Sequence, residues 1–202
     1  MKRVELLLNQ VLHLFELRRI PSKNKDIYLT FDDAPEPGIT EFVLAELRRI
    51  NGKATFFCRG DNAEKYSELL NSIIEEGHSI GNHTYSHINS FYTPTKEYIA
   101  DVNRADAILH SHLFRPPWGS VKLMTFLKLS KRFRIIYWNR ASGDTYLDRF
   151  NLNQSLKYLI EKTQKGDIVL FHCCHRHEKE TRQLLPEYLT WLNSKGYLLK
   201  PL

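Results

Sequence analysis

The chain has 202 residues, 42% of them hydrophobic, which is enough to bury a large core and favours one globular domain. No stretch approaches the ~20 consecutive apolar residues of a transmembrane helix. The formal net charge of +6 suits an anionic partner, but the basic residues are scattered and no nucleic-acid-binding motif accompanies them, so we expect no nucleic-acid partner.

The first 20 residues are predicted to form an amphipathic helix that packs on a single domain over residues 21–202. Val4, Leu7 and Leu8 begin an apolar pattern at helical spacing, and Pro21 ends it. Lying on a membrane surface is the alternative role of this helix. Because polar residues interrupt the apolar run and no small-residue cleavage site follows it, we predict no signal peptide and expect a cytoplasmic protein.

The first predicted strand covers residues 27–35, with the sequence IYLTFDDAP. Its β-branched, aromatic and apolar residues are typical of a buried strand, and Pro35 prevents further ladder bonding. Asp32 and Asp33 lie at its end, where burying either carboxylate is costly unless it is paired or metal-bound. A functional site is one explanation for two adjacent carboxylates at the end of a buried strand. A turn in which both aspartates cap the next helix is the structural alternative.

Helices and short strands alternate along the rest of the chain. Helices are predicted over 40–50, 63–76, 94–110, 124–131, 153–163 and 181–194, and strands over 54–58, 78–82, 113–115, 134–138, 168–172 and 197–199. Continuous apolar strands between helices are typical of a parallel sheet that is covered on both faces.

Polar and titratable residues recur at the carboxyl ends of these strands. In a parallel barrel those ends converge on one rim, where active sites lie. The residues concerned are Asp32, Asp33, His83, His87, Arg115, Asp144 and His172.

Asp33, His83 and His87 form a set that can hold a divalent metal and leave positions open for water and substrate. Two histidines four residues apart are a weak signal, since such a pair often lies on the surface of a helix. Here Gly81 and Asn82 precede the HTYSH sequence and no helical periodicity runs through it, which favours a loop that presents both rings.

Four motifs in order resemble those of the polysaccharide deacetylase family, the NodB homology domain. TFDD at 30–33 resembles the family's TFDD motif, and HTYSH at 83–87 resembles its H-[ST]-x-x-H motif. RPPWG at 115–119 resembles R-x-P-[YW], and LFH at 170–172 resembles L-x-H. The resemblance extends from Tyr28 to the C-terminus.

The resemblance implies an α/β fold, a distorted parallel (β/α) barrel of about seven strands. It also implies metal-dependent removal of N- or O-acetyl groups from an N-acetylhexosamine-containing glycan. Asp33, His83 and His87 would bind a divalent metal, most often zinc in this family.

The resemblance also assigns roles to the remaining motif residues. Asp32 would be the general base, which Arg115 would hold in place, and His172 the general acid. Substrate-binding positions would be Pro117, Trp118 and Leu170, of which the last two would wall the acetyl pocket.

The region after Trp138 departs from the family's pattern. Asp144 keeps the six-residue spacing from Trp138, but Ala141 stands where the family has an intermediate aspartate, and Asn139 and Thr145 are also unusual. Whether an aspartate reaches His172 to raise its pKa is therefore open, with Asp144 as the remaining candidate.

Three cysteines, Cys58, Cys173 and Cys174, indicate no disulfide framework. The CCHRH sequence at 173–177 suggests a second metal site, but adjacent cysteines chelate one ion poorly, so a loop is the favoured interpretation. Two functional alternatives to a glycan deacetylase stay open. One is the same site acting on another small amide, and the other is a degenerate homologue that binds sugar or metal with little turnover.

Overall fold

A computed structural model describes residues 18–202, so the N-terminal helix predicted over 1–20 lies almost entirely outside the described residues. The described strands are β1 (Asp26–Ala34), β2 (Thr55–Cys58), β3 (Ser79–Asn82), β4 (Leu113–Phe114), β5 (Arg134–Ile135), β6 (Arg140–Ala141), β7 (Ile168–His172) and β8 (Leu198–Leu199). The helices are α1 (Ile39–Arg49), α2 (Gly60–Lys65), α3 (Ser67–Glu75), α4 (Thr95–Leu109), α5 (Leu123–Leu129), α6 (Leu152–Lys162) and α7 (Glu178–Ser194).

The strands form one parallel sheet in the order β5-β4-β3-β2-β1-β7-β6, and β8 pairs with the beginning of β1. Strands β5 and β6 are the two ends of this order and do not pair with each other, so the barrel is open on that side. The expected distorted parallel (β/α) barrel is therefore confirmed. No helix within residues 18–202 combines the length and apolar composition that crossing a membrane requires.

Strand β1 pairs with both β2 and β7 and is almost entirely buried. Ile27, Leu29 and Phe31 have no solvent exposure. The ring of Phe31 stacks on Phe56 of β2 with centroids 5.2 Å apart and contacts Phe171 of β7 at 5.8 Å. This packing fixes β1 between its neighbours and aligns the ends of all three strands.

Two predicted elements differ from the structure. The helix predicted over 63–76 is divided into α2 and α3, because the backbone of Tyr66 leaves the helical region with φ −120° and ψ 49°. The strand predicted over 134–138 is shorter in the structure, where β5 pairs with β4 at Arg134 and Ile135, and β6, which pairs with β7, was not predicted. Both strands have only two residues, too few for an apolar alternation to be recognised in the sequence.

Candidate active site

A cleft of about 630 Å³ opens at the carboxyl ends of the strands. Of the predicted site residues, those that line it are Asp32, Asp33, His83, His87, Trp118, Asp144, Leu170 and His172. Arg115 is fully buried, in contact with Asp32. Pro117 is buried in the short helical turn that also contains Trp118, and it is not among the lining residues.

A bulge at the end of β1 brings both aspartates into this cleft. Along a regular strand, adjacent side chains point to opposite faces of the sheet. Asp32 is in register with Phe57 of β2 and Ala34 with Cys58, so Asp33 is an extra residue in the strand, with φ 71°. The bulge re-aims the chain at this point, which allows consecutive carboxylates to face one site.

Asp33, His83 and His87 form the candidate metal centre, in which one ligand atom from each residue lies within 4.8 Å of the others. The Oδ1 atom of Asp33 lies 3.3 Å from Nε2 of His87 and 3.9 Å from Nε2 of His83. This Oδ1 is buried and has no hydrogen-bond partner among the described residues. A buried carboxylate oxygen without a partner, facing two imidazole nitrogens, fits a divalent cation.

The histidine rings are prepared for ligation by their surroundings. Nδ1 of His83 lies 2.8 Å from the carbonyl oxygen of Arg115, and since a carbonyl only accepts, Nδ1 carries the proton and Nε2 is free to bind a metal. Burial, as the main cause, lowers the pKa of His83 to about 3 and also lowers the pKa of His87. Both rings are therefore neutral at pH 7, as metal binding requires.

Arg115 holds Asp32 from within the barrel. Its Nη1 atom donates to Oδ1 of Asp32 at 2.7 Å and to the hydroxyl of Thr30 at 2.9 Å. The other guanidinium nitrogens donate to the carbonyl oxygens of Ile136 and Tyr137. Burial lowers the pKa of Arg115, and the charge and hydrogen bond of Asp32 oppose this effect.

His172 lies beside Asp32 in the register of β1 and β7 and is held by Asp144. Nδ1 of His172 is 3.1 Å from Oδ1 of Asp144, and the backbone N–H of His172 donates to Oδ2 at 2.6 Å. Burial alone would lower the pKa of His172. The charge and hydrogen bond of Asp144, with the charges of Asp32 and Asp33, outweigh burial and raise this pKa to about 9.

Asp144 is almost fully buried and is stabilised from several sides. Burial would raise its pKa, but the charge and hydrogen bonds of His172 and Ser142 lower it. The hydroxyl of Thr181 on α7 lies 3.2 Å from its Oδ2. Asp144 therefore reaches His172. The sequence had left this contact open, because Ala141 replaces the family's intermediate aspartate.

Several residues around the cleft were not predicted as site residues. Trp138 and His177 both line it, and the ring of His177 lies 5.1 Å from that of His172. Thr181 carries no motif, so sequence reasoning had no signal for it. The segment 173–177 continues from β7 into a short helical turn, and within the described residues only Asp33, His83 and His87 form a group that could hold a metal.

The model of the polysaccharide deacetylase family matches residues 19–135, more than half of the chain. A peptidoglycan-N-acetylglucosamine deacetylase of Bacillus cereus is 28% identical over 185 residues, which cover 88% of this chain and 86% of that relative. The peptidoglycan-N-acetylglucosamine deacetylase PgdA of Listeria monocytogenes is 32% identical over 180 residues, which cover 86% of this chain but only 37% of the longer relative.

A crystal structure of a peptidoglycan N-acetylglucosamine deacetylase has the same fold, with a TM-score of 0.85 and 28% identity over 93% of this chain and 90% of that one. Sequence and fold thus agree with the arrangement of the cleft, and the chain belongs to the polysaccharide deacetylase family.

Proposed function

We propose that this chain is a metal-dependent hydrolase that removes N-acetyl groups from an amino-sugar glycan, with peptidoglycan as the first substrate to test. The observation that carries the proposal is the unpartnered, buried Oδ1 of Asp33 facing the Nε2 atoms of His83 and His87. It lies in the same cleft as a carboxylate held by an arginine and a histidine held by an aspartate. The names of the similar enzymes support the choice of substrate.

A divalent cation on Asp33, His83 and His87, zinc being the first to test, would supply Lewis acidity towards the acetyl carbonyl and bring the pKa of water towards ~7. The open side of the centre faces the cleft, where a substrate can approach.

Asp32 is the proposed general base. Arg115 occupies its Oδ1, while its Oδ2 lies 3.8 Å from Nε2 of His83, at the edge of the metal centre. A carboxylate in that position can take the proton from the attacking water. Since Arg115 is fully buried and makes four hydrogen bonds, it fixes the orientation of Asp32 before substrate binds.

His172 is the proposed general acid. An amine leaves an amide carbon poorly unless it is protonated, so the acid must carry a proton when the substrate is bound. The contact with Asp144 keeps His172 in the imidazolium form at neutral pH. Trp118 and Leu170 contribute walls of the cleft in which the acetyl group would lie.

A degenerate homologue that binds sugar with little turnover is the alternative, and Ala141 is the observation that favours it. In the structure Ala141 lines the cleft and supplies no carboxylate there. The proposed enzyme needs only one carboxylate on His172, and Asp144 provides it at 3.1 Å.

Acetate release from N-acetylated chito-oligosaccharides and from peptidoglycan fragments separates these functions. We expect the zinc-loaded protein to release acetate and to lose this activity on treatment with a chelator, with recovery when the metal is returned. Binding of the same sugars without acetate release would identify the degenerate homologue. Hydrolysis of simple acetylated amines at the same rate would indicate a small-amide hydrolase.

A further inference from the structure

Large apolar side chains are exposed beside the cleft, on the side of the metal centre. We call them the apolar rim, and they are Phe91, Tyr92, Trp118, Met124 and Leu127. Each is about half exposed or more, and Tyr92 is 90% exposed. Together they are half of the large hydrophobic residues that the described part of the chain exposes. Such a concentration on one side of a protein marks an interaction surface rather than ordinary surface composition.

Hydrogen bonds hold the two segments of the rim against each other. The backbone N–H of Lys122 donates to the hydroxyl of Ser90 at 2.9 Å, and its ammonium donates to the carbonyl oxygen of Thr93 at 3.0 Å. These contacts join the loop that carries Phe91 and Tyr92 to the segment between Trp118 and α5.

Helix α5 has apolar side chains on both its inner and its outer face. Thr125, Phe126 and Leu129 are buried on its inner face. Met124 and Leu127, one turn apart, are exposed on the outer face, where a helix of a soluble domain normally carries polar residues. The outer face thus exposes two large apolar side chains beside Lys128.

The segment that carries Trp118, Met124 and Leu127 has basic residues and no acidic ones. Between residues 107 and 143 the sequence has no aspartate or glutamate. Lys122 and Lys128 are the basic residues between Trp118 and Leu129, whereas Arg132, further along the chain, is paired with Asp106 at 2.7 Å. Glu97, in the first turn of α4, is the nearest acidic residue in the sequence to Phe91 and Tyr92. An excess of positive charge beside apolar side chains suits a surface that is both anionic and apolar.

We propose that the apolar rim docks on an anionic lipid bilayer. Tryptophan and tyrosine favour the membrane–water interface, where methionine and leucine side chains can enter the acyl boundary. The neighbouring lysines add attraction to anionic headgroups. A glycan chain stacks on aromatic rings but gains little from exposed Met124 and Leu127, and a second copy of this chain would bring like charges together.

Docking in this way places the cleft mouth at the level of the headgroups. The ring of Trp118 in the rim lies 4.4 Å from the ring of His87, a member of the candidate metal centre. The bilayer contact is thus directly beside the site, yet none of Phe91, Tyr92, Met124 and Leu127 lines the cleft. This docking does not depend on deacetylase activity.

Vesicle sedimentation of the full chain tests the proposal. The probes are vesicles of equal parts phosphatidylglycerol and phosphatidylcholine, and vesicles of phosphatidylcholine alone. The rim variant combines Phe91→Ser, Tyr92→Ser, Met124→Gln and Leu127→Gln. The matched control combines Ile74→Gln and Leu198→Gln, two residues of similar exposure outside the rim, at 46% and 50%. Thermal melting followed by circular dichroism shows that each variant is folded.

We expect the native chain and the control to bind the anionic vesicles, with binding that weakens as salt rises, and to bind phosphatidylcholine poorly. The rim variant should lose about tenfold or more in affinity. Equal binding by the rim variant would overturn the proposal, because the contact would then lie elsewhere, including residues 1–17. A rim variant that keeps vesicle binding but loses binding to chito-oligosaccharides would overturn it in favour of a glycan surface.

Discussion

Replacing Asp144 by asparagine is expected to move the basic limb of the pH–rate profile to lower pH. A general acid is active when protonated, so the rate falls as pH rises through its pKa. The pKa of His172 is about 9, and Asp144 is the main cause that raises it. Without that charge the burial of His172 dominates, and the pKa falls to ~6.5 or below.

The contacts of Asp144 sharpen this expectation. Its Oδ2 accepts from the backbone N–H of His172, and the hydroxyl of Thr181 is also within hydrogen-bond distance. In the Asp144→Asn variant, the amide oxygen must take the place of Oδ2 to accept these two hydrogen bonds. The amide NH₂ then takes the place of Oδ1 and faces Nδ1 of His172. An NH₂ group there stabilises a neutral ring that accepts at Nδ1, which adds to the loss of imidazolium.

At pH 8 a histidine of pKa ~9 is about 90% protonated, and one of pKa ~6.5 about 3%, so the expected loss in rate at that pH is roughly 30-fold. The assay is acetate release from an N-acetylated chito-oligosaccharide between pH 5 and pH 10, together with metal analysis. Asp148→Asn, an exposed aspartate in the same turn, is the matched control and should leave the limb in place. If the profile of Asp144→Asn coincides with that of the native chain, His172 is not the acid that Asp144 controls.

Three further substitutions test the rest of the site. His83→Ala should remove most of the bound metal as measured by elemental analysis, because the ring would supply one of the three proposed ligands, and a full metal content would contradict the assignment. Asp32→Asn should retain the metal while losing roughly 10²–10⁴-fold in rate, and loss of metal instead would mean that Asp32 is the ligand. Arg115→Met should lower the free energy of unfolding in urea by about 3–5 kcal/mol because Asp32 is left as a buried, unpaired charge, whereas a change below about 1 kcal/mol would show that water replaces the guanidinium.

The residue patterns by themselves predicted a parallel sheet between helices and the groups that meet in the cleft, whereas the barrel and the family came from the resemblance of four motifs. The sheet and these groups are encoded locally. A run of apolar, aromatic and β-branched residues such as 27–31 favours a buried strand, and carboxylates or histidines directly after parallel strands converge on one rim. The resemblance of four motifs then indicated which reaction, deacetylation, to expect at that rim.

The geometry within the rim was decided by tertiary structure. Alternation along a strand predicts that Asp32 and Asp33 face opposite ways, and only the bulge against β2 brings both to the cleft. Directly after β5, the carbonyl oxygens of Ile136 and Tyr137 accept hydrogen bonds from Arg115. A buried guanidinium needs these acceptors, and no local pattern shows which carbonyls will supply them.

The contact between Asp144 and His172 also depends on tertiary structure. The spacing of Asp144 from Trp138 made it a candidate, but 28 positions separate it from His172 in the chain. The pairing of β6 with β7 and the packing of α7, which carries Thr181, bring the two side chains together. Sequence patterns indicate whether a segment forms a strand or a helix and which of its faces is buried. The partner of a buried charge depends instead on which distant elements pack beside it.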